Sequence, residues 1–300
     1  MGKDSYVIRS MMRGEIDTAV DWAAAEGWNP GLQDAGCFHA ADPGGFFVGR
    51  IDDQPIATIS AVKYGDSFGF VGFYIVKPGY RGKGYGLRIW NAAIASLQRR
   101  NIGLDGVVDQ QENYRKSGFA LAYRNVRYQG VGSGTRRGDS DIVPLSTLAF
   151  DEIVRYDRMF FPDDRLRFLE HWITRPGSIA VGILDRRTLA GYGVMRPCRS
   201  GYKVGPLFAD SPELAERLFG FFRAQVPALV PIFLDIPEAN RAAFDLVERH
   251  SMIAAFETAR MYTGEFPRLP IGRLFGVTTF ELGRGAASQA TPTAANCASG

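Results

Sequence analysis

The stretch with the most chemistry in it is Val76-Lys77-Pro78-Gly79-Tyr80-Arg81-Gly82-Lys83-Gly84-Tyr85-Gly86-Leu87. It holds four glycines, and from residue 77 to 88 it carries the cations Lys77, Arg81, Lys83 and Arg88 with no acid. Glycines let the backbone curl until successive N–H groups point into one hollow, and a helix start beyond it adds partial positive charge. That combination suits phosphate or pyrophosphate. A Walker loop fails here, because Gly84 follows Gly82-Lys83 where Ser or Thr must hold the magnesium. A dinucleotide fingerprint fits Gly82 and Gly84 but meets Leu87 at its third glycine, and the strands before it look antiparallel. Asp105 alone keeps that reading open, lying about twenty residues on as a ribose-binding acid does. A bare connecting turn would seldom collect four cations without an acid.

A third pattern is met in full. Arg81, Gly84 and Gly86 form Arg-x-x-Gly-x-Gly, and Val76 to Gly86 match the longer phrase V-x-P-x-Y-R-G-x-G-x-G. This resembles the acetyl-CoA loop of the GNAT (Gcn5-related) N-acetyltransferase family. Downstream, Tyr114-Arg115-Lys116-Ser117-Gly118-Phe119 is similar to that family's Y-x-K-x-G-F motif. The resemblance implies acetyl-CoA as co-substrate. Backbone groups of Ile75 and Val76 would pair with the pantetheine amides. Amides of Arg81, Gly82, Lys83, Gly84, Tyr85 and Gly86 would hold the pyrophosphate, with Lys83 and Arg88 supplying charge. Tyr114 becomes the acid for the leaving thiolate, or else a packed aromatic over the cofactor. Several family members keep a base in the strand before the loop, but Phe68–Val76 contains no Asp or Glu. Asp109 and Glu112 are the nearby carboxylates, each equally readable as a solvated loop residue, so no general base is assigned.

These residues need elements to hold them. A helical period runs over Met12–Gly27, and strand-like runs cover Tyr6–Arg9, Gly45–Ile51, Ile56–Tyr64 and Phe68–Val76, the last three forming an antiparallel meander. After the loop come a helix over Leu87–Arg100 and strands at Gly106–Asp109 and Phe119–Tyr128. Residues 131–140 are Gly/Ser-rich and read as a linker. The order then restarts: helices over Ser146–Phe161 and Asp164–Thr174, strands over Ile179–Leu184, Leu189–Met195 and Lys203–Phe208. Helix Pro212–Val226, strand Ile232–Ile236, helix Asn240–His250 and strand Phe256–Tyr262 complete the second pass. Arg127-Tyr128-Gln129-Gly130 and Arg260-Met261-Tyr262-Thr263-Gly264 close the two passes alike. The expected fold is therefore α/β (α+β), with two tandem GNAT-like domains, each a mixed, mostly antiparallel sheet flanked by helices. Residues 1–130 would form the acetyl-CoA-binding domain, 141–283 a degenerate second copy, and 284–300 a disordered tail. Where the second copy should carry its phosphate loop it reads Phe208-Ala209-Asp210-Ser211-Pro212-Glu213. Two acids there repel a polyanion, and Asp210-Ser211 before Pro212 suits a helix cap. The second copy would be a packing partner or would shape an acceptor pocket.

Composition narrows the remaining classes. Of 300 residues, 46% are hydrophobic and 22% charged, an ordinary globular balance. Thirty-five Lys and Arg against 32 Asp and Glu give a net charge of +3, too even to imply nucleic acid. Cys37, Cys198 and Cys297 cannot make a disulfide framework, and His39, His171 and His250 show no zinc spacing. No apolar run reaches the ~20 residues that span a bilayer. The expectation is a cytoplasmic, metal-free acetyl-CoA-dependent N-acetyltransferase acting on a primary amine of a small molecule. A CoA-binding sensor or interaction module is the alternative, and a longer acyl-CoA is a further donor. His39 and the aromatics Phe38, Phe46, Phe47, Phe73 and Tyr74 are placed near an acceptor cleft or in the core.

Overall fold

The computed structural model describes residues 5–135 and 138–282. The expected tail, 284–300, and part of the expected linker lie outside the described residues. The first half contains β1 (Val7–Ser10), α1 (Ile16–Ala25), α2 (Asp34–Ala41) and the meander β2 (Phe46–Ile51), β3 (Gln54–Tyr64) and β4 (Phe68–Val76). It continues with α3 (Tyr85–Ser96), β5 (Asn101–Val107), α4 (Gln111–Lys116) and β6 (Ala120–Val131). The second half repeats the order with β7 (Ile142–Pro144), α5 (Phe150–Asp157), α6 (Leu166–Thr174), β8 (Ile179–Asp185), β9 (Thr188–Pro197) and β10 (Tyr202–Ala209). Then come α7 (Pro212–Gln225), β11 (Pro231–Pro237), α8 (Arg241–Arg249), β12 (Ile253–Tyr262) and a short β13 (Leu274–Gly276).

Local chemistry explains most of these boundaries. The β2–β3 hairpin turns at Asp52 and Asp53, both with positive φ, which short polar side chains tolerate. Ser211 caps α7 through Leu214 N–H at 3.3 Å, with Pro212 next, and Asn240 caps α8. Several elements depart from the sequence expectation. The short α2, α4, β7 and β13 are not among the expected elements, α2 being mostly small residues with no amphipathic period, and the helix expected over Ser146–Phe161 is regular only from Phe150 to Asp157. β5 begins five residues earlier than Gly106, taking in the alternating Ile102 and Leu104, and ends at Val107.

All thirteen strands join one mixed sheet, in the order β1-β2-β3-β4-β5-β12-β6-β11-β10-β9-β8-β7, with β13 paired to β10. Only β4–β5 and β10–β11 are parallel. The closing strands are exchanged between the halves. β12 lies against β5, and β6 lies against β11, so each half is completed by a strand from the other. The two similar closing phrases thus form the central pair of the sheet. Their arginines reach across it: Arg260 stands opposite Asp105 and Arg127 opposite Asp235, both pairs fully buried.

One apolar core crosses the whole molecule on one face of the sheet. It joins Ile16, Phe38 and Phe73 of the first half to Tyr156, Trp172 and Phe208 of the second. The opposite face carries separate cores, one under α3 and α4 around Trp90, the other under α7 and α8 around Phe219. No described helix is long and apolar enough to cross a membrane.

Candidate active site

β4 and β5 run parallel and paired from Phe68↔Asn101 to Val71↔Leu104, and there the pairing stops. Beyond that point β4 keeps β3 on its other edge and β5 keeps β12. β4 carries one extra residue here, Phe73 and Tyr74 together standing against Ile59 between the pairs Ser60↔Gly72 and Thr58↔Ile75, and Phe73 takes φ 49°. A bulge bends its strand and strengthens local twist, which turns the end of β4 away from β5. The gap opens into a cavity of about 610 Å³ that runs from Val71 and Leu104 to the glycine loop.

At the loop the backbone itself is the ligand surface. Gly82 and Gly84 have φ 74° and 84°, and a Cβ on either would meet nothing within 4 Å. Backbone conformation requires glycine at these two positions, and open space lies in front of them. Gly86 is glycine for another reason: a Cβ there would lie 2.7 Å from the Tyr74 hydroxyl, where α3 crosses β4. The first helical bond runs from Arg88 N–H to the Gly84 carbonyl at 3.2 Å. Among the described residues the N–H groups of Gly82, Lys83, Gly84, Gly86 and Leu87 find no intramolecular acceptor. Unsatisfied donors at a helix start, facing open space, are the setting an anion needs.

The expected site residues fall into two groups. Ile75, Val76, Arg81, Gly82, Gly84, Gly86 and Tyr114 all line the cavity. Lys83 and Tyr85 stand beside it: the Lys83 ammonium lies 5.6 Å from the Tyr80 ring, and Tyr85 packs on Tyr6 at 4.9 Å. The Arg81 guanidinium is engaged within the loop, donating to the Val76 carbonyl at 2.7 Å and pairing with Glu26. Arg88 lies over the Tyr6 ring at 4.6 Å.

Tyr114 comes from α4, a short helix entered through the turn Val108–Gln110. Its ring covers Gly106, where a Cβ would meet it at 2.2 Å, and packs near Trp90 at 5.6 Å. Burial raises its hydroxyl well above the usual phenol range, with Tyr74 adding to the effect. The hydroxyl is therefore protonated at neutral pH. Asp109 and Glu112 are not cavity residues, and Glu112 pairs with Arg115. Phe38 and Phe46 are core residues, while Phe73 and Tyr74 reach the cavity wall.

The sequence reading missed the far wall, made by Trp28 before α2, Phe256 and Thr258 of β12, and Phe280 and Glu281 of the C-terminal segment. The strand exchange brings Phe256 and Thr258 to the gap, and the segment after β13 brings Phe280 and Glu281; nothing local in the sequence signals either.

The corresponding place in the second half is closed. β10 and β11 pair in parallel from Tyr202↔Ile232 to Val204↔Leu234 and then part, like β4 and β5. β13 fills the parting, pairing with β10 at Leu207↔Gly276, while Val277 N–H bonds the Asp235 carbonyl at 2.7 Å. Asp210 sits at the loop position, held by Tyr156 and Arg273. Among the described residues no three His, Cys, Asp or Glu side chains converge as a metal site.

Residues 13–119 match the acetyltransferase (GNAT) family, and residues 153–276 match an acetyltransferase (GNAT) domain. A protein of Pseudoalteromonas sp. (strain SANK 73390) named holothin acyltransferase is 32% identical over 263 residues, covering 88% of this chain and 90% of its own. The chain belongs to the GNAT acetyltransferase family, with two such domains in tandem. A solved structure from Pyrococcus horikoshii shares the fold at TM-score 0.79 and 22% identity, over 94% of this chain and 98% of that one. A tandem GNAT protein from the clavulanic acid biosynthesis pathway, solved without acetyl-CoA, gives TM-score 0.60 at 12% identity, over 87% and 99%.

Proposed function

We propose that the chain is an acetyl-CoA-dependent N-acetyltransferase that acylates a primary amine of a small molecule, by direct attack on the thioester. The observation that carries this reading is the parting of β4 and β5 beyond Val71 and Leu104, with unsatisfied loop amides at its far end. The free edge of β4 from Gly72 to Val76 suits the two amides of pantetheine, which would add to it as a strand adds to a sheet. The N–H groups around Gly84 suit the pyrophosphate. The relative named holothin acyltransferase supports a small-molecule acceptor, because the likeness spans both halves. The free thiols Cys37 and Cys198, both buried, fit a reducing, cytoplasmic setting.

In this reading a neutral amine attacks the thioester carbonyl, the C–N bond forms, and the C–S bond breaks. Tyr114 protonates the departing thiolate. An alkylamine of pKa ~10.4 costs roughly 4–5 kcal/mol to deprotonate at pH 7, at about 1.36 kcal/mol per pKa unit. Thiol release from acetyl-CoA, followed across a panel of primary amines, tests the assignment. Acceptor-dependent thiol with a matching acetylated product is the expected result. CoA binding without thiol release on any amine would make the chain a CoA-binding module instead. The same assay with longer acyl-CoAs fixes the donor.

A further inference from the structure

Three carboxylates line the cavity: Glu26, Asp105 and Glu281. Glu26 is half-exposed near the loop and paired with Arg81. Asp105 is fully occupied, since Arg260 binds both its oxygens and Asn125 donates to Oδ1 at 2.8 Å. Glu281 differs from both. It is 3% exposed, and one of its oxygens accepts the Thr279 hydroxyl. Among the described residues no cationic nitrogen lies within 4.0 Å of its carboxylate.

Three cations of the surrounding strands feel Glu281's charge from farther off, namely Arg127 of β6, Arg196 of β9 and Lys203 of β10. Arg127 is paired with Asp235, and Lys203 donates to the Asn29 carbonyl at 3.0 Å. Arg196 lies 3.2 Å from Asp34, and among the described residues its guanidinium nitrogens find no hydrogen-bond partner.

The position of Glu281 follows from the path of the chain. After β13 closes the second cleft, the segment runs back over the first half. Arg165 holds Thr278 Oγ1 at 3.2 Å, and the Tyr64 hydroxyl donates to the Leu282 carbonyl at 2.9 Å. Between these anchors the Glu281 carbonyl lies against Gly72, where an added Cβ would be 2.2 Å away. Gly72 is the first β4 residue past the last β4–β5 pair, so Glu281 stands where the strands part. That is the end of the gap farthest from the loop, where a thioester threaded between the strands would place its carbonyl.

Cations surround this buried carboxylate at a distance but none is in contact with it, which leaves the contact position for a protonated amine. We propose that Glu281 is the residue that receives the acceptor's ammonium and takes a proton from it. The step rests on the acyltransferase reading above. The ammonium passes one proton to Glu281, and the neutral nitrogen attacks the thioester carbonyl. As the C–S bond breaks, the nitrogen sheds its second proton. The thiolate is protonated by Tyr114, which regains that second proton, and the proton on Glu281 leaves to solvent. One amide, one thiol and one released proton balance the reaction. The second half would then act in catalysis, its own cleft closed by the segment that delivers the base.

The test uses the full chain, acetyl-CoA and two ring-bearing probes, chosen because Trp28, Phe73, Tyr74, Phe256 and Phe280 wall the cavity. Benzylamine is an ammonium ion at neutral pH, and aniline is already neutral. Glu281→Gln should lower kcat/KM for benzylamine about 10²-fold or more, the usual reach of a general base. It should lower the aniline rate less than tenfold and leave CoA affinity within about threefold. Glu281→Asp keeps the charge and serves where the amide variant folds poorly, with the same selective loss on benzylamine. Equal losses on both amines, or no loss on either, would overturn the role of Glu281 while leaving an active acyltransferase. A wild-type chain that binds CoA but releases no thiol with any amine would overturn the acyltransferase reading and this step together.

Discussion

Tyr114 and Glu281 reach one cavity from the two halves of the chain, and in the proposed reaction each takes a different half of the proton problem. Tyr114 stays protonated because burial disfavours the phenolate, so it is no base, and as an acid it would release its proton only as it regains one from the attacking nitrogen. Removing only its hydroxyl isolates that role, since the ring contacts with Trp90 and Gly106 survive in Tyr114→Phe. The expected result is a fall in kcat of at least tenfold, a floor just below the usual ~10²–10⁴-fold reach of general acids, with CoA affinity held within about threefold. A thiol of pKa near 8.5 can leave as the thiolate, which is why the expected fall sits at the low end. Near-normal turnover would return Tyr114 to packing and give the proton to water. Weaker CoA binding at normal kcat would make it a cofactor cap. Tyr114 was legible in the sequence because its motif is local, six residues ending at Phe119. Glu281 was not, because it lies well over a hundred residues from the loop and only the course of the segment after β13 brings it there.

At the scale of elements, the two parted strand pairs show why a glycine loop is legible beside the first and absent beside the second. In the first half every requirement is contiguous: a bulged strand, Gly82 and Gly84 in left-handed conformations, and a helix start with no side-chain cap. Contiguous requirements write themselves into sequence. In the second half Ser211 caps the helix and Asp210 is held by Arg273, both visible locally as the wrong chemistry for a polyanion. The closure by β13 was not visible, since three residues, Leu274 to Gly276, carry no period to detect. Together these features predict one CoA per chain by calorimetry, lost in Gly84→Glu. That substitution adds a side chain at φ 84° and a negative charge before the open donors, so affinity should fall at least tenfold, about 1.4 kcal/mol. Two equivalent CoA sites, or unchanged affinity in a folded variant, would place the phosphates elsewhere.

Across the whole molecule, the halves are joined by the exchange of β6 and β12, by one core that crosses between them, and by buried arginine–aspartate pairs, among them Arg127–Asp235, Arg260–Asp105 and Arg175–Asp34. The repeated closing phrases hinted at two copies of one domain. Their exchange could not be read, because strand order depends on pairings far apart in sequence, and an unexchanged arrangement would bury the same alternating residues. The Asp235–Arg127 pair tests how tightly the halves are coupled. Burial alone would raise Asp235, yet the Arg127 guanidinium, 2.6 and 2.7 Å from its two oxygens, holds its carboxyl below the usual range. A carboxyl lowered in the folded state contributes stability that is complete above its unfolded pKa of ~3.9 and is lost as pH falls toward the folded value. The wild-type chain should therefore lose stability steeply below about pH 4. Asp235→Asn leaves Arg127 buried without its counter-charge, which typically costs about 3–5 kcal/mol. Because the sheet and the core are continuous, that loss should appear as one displaced unfolding transition, seen alike by tryptophan fluorescence and far-UV circular dichroism. The variant should also lose the part of the acid sensitivity that belongs to this carboxyl. Two separate transitions, with only one of them moved by Asp235→Asn, would mean that the halves unfold independently despite their shared strands.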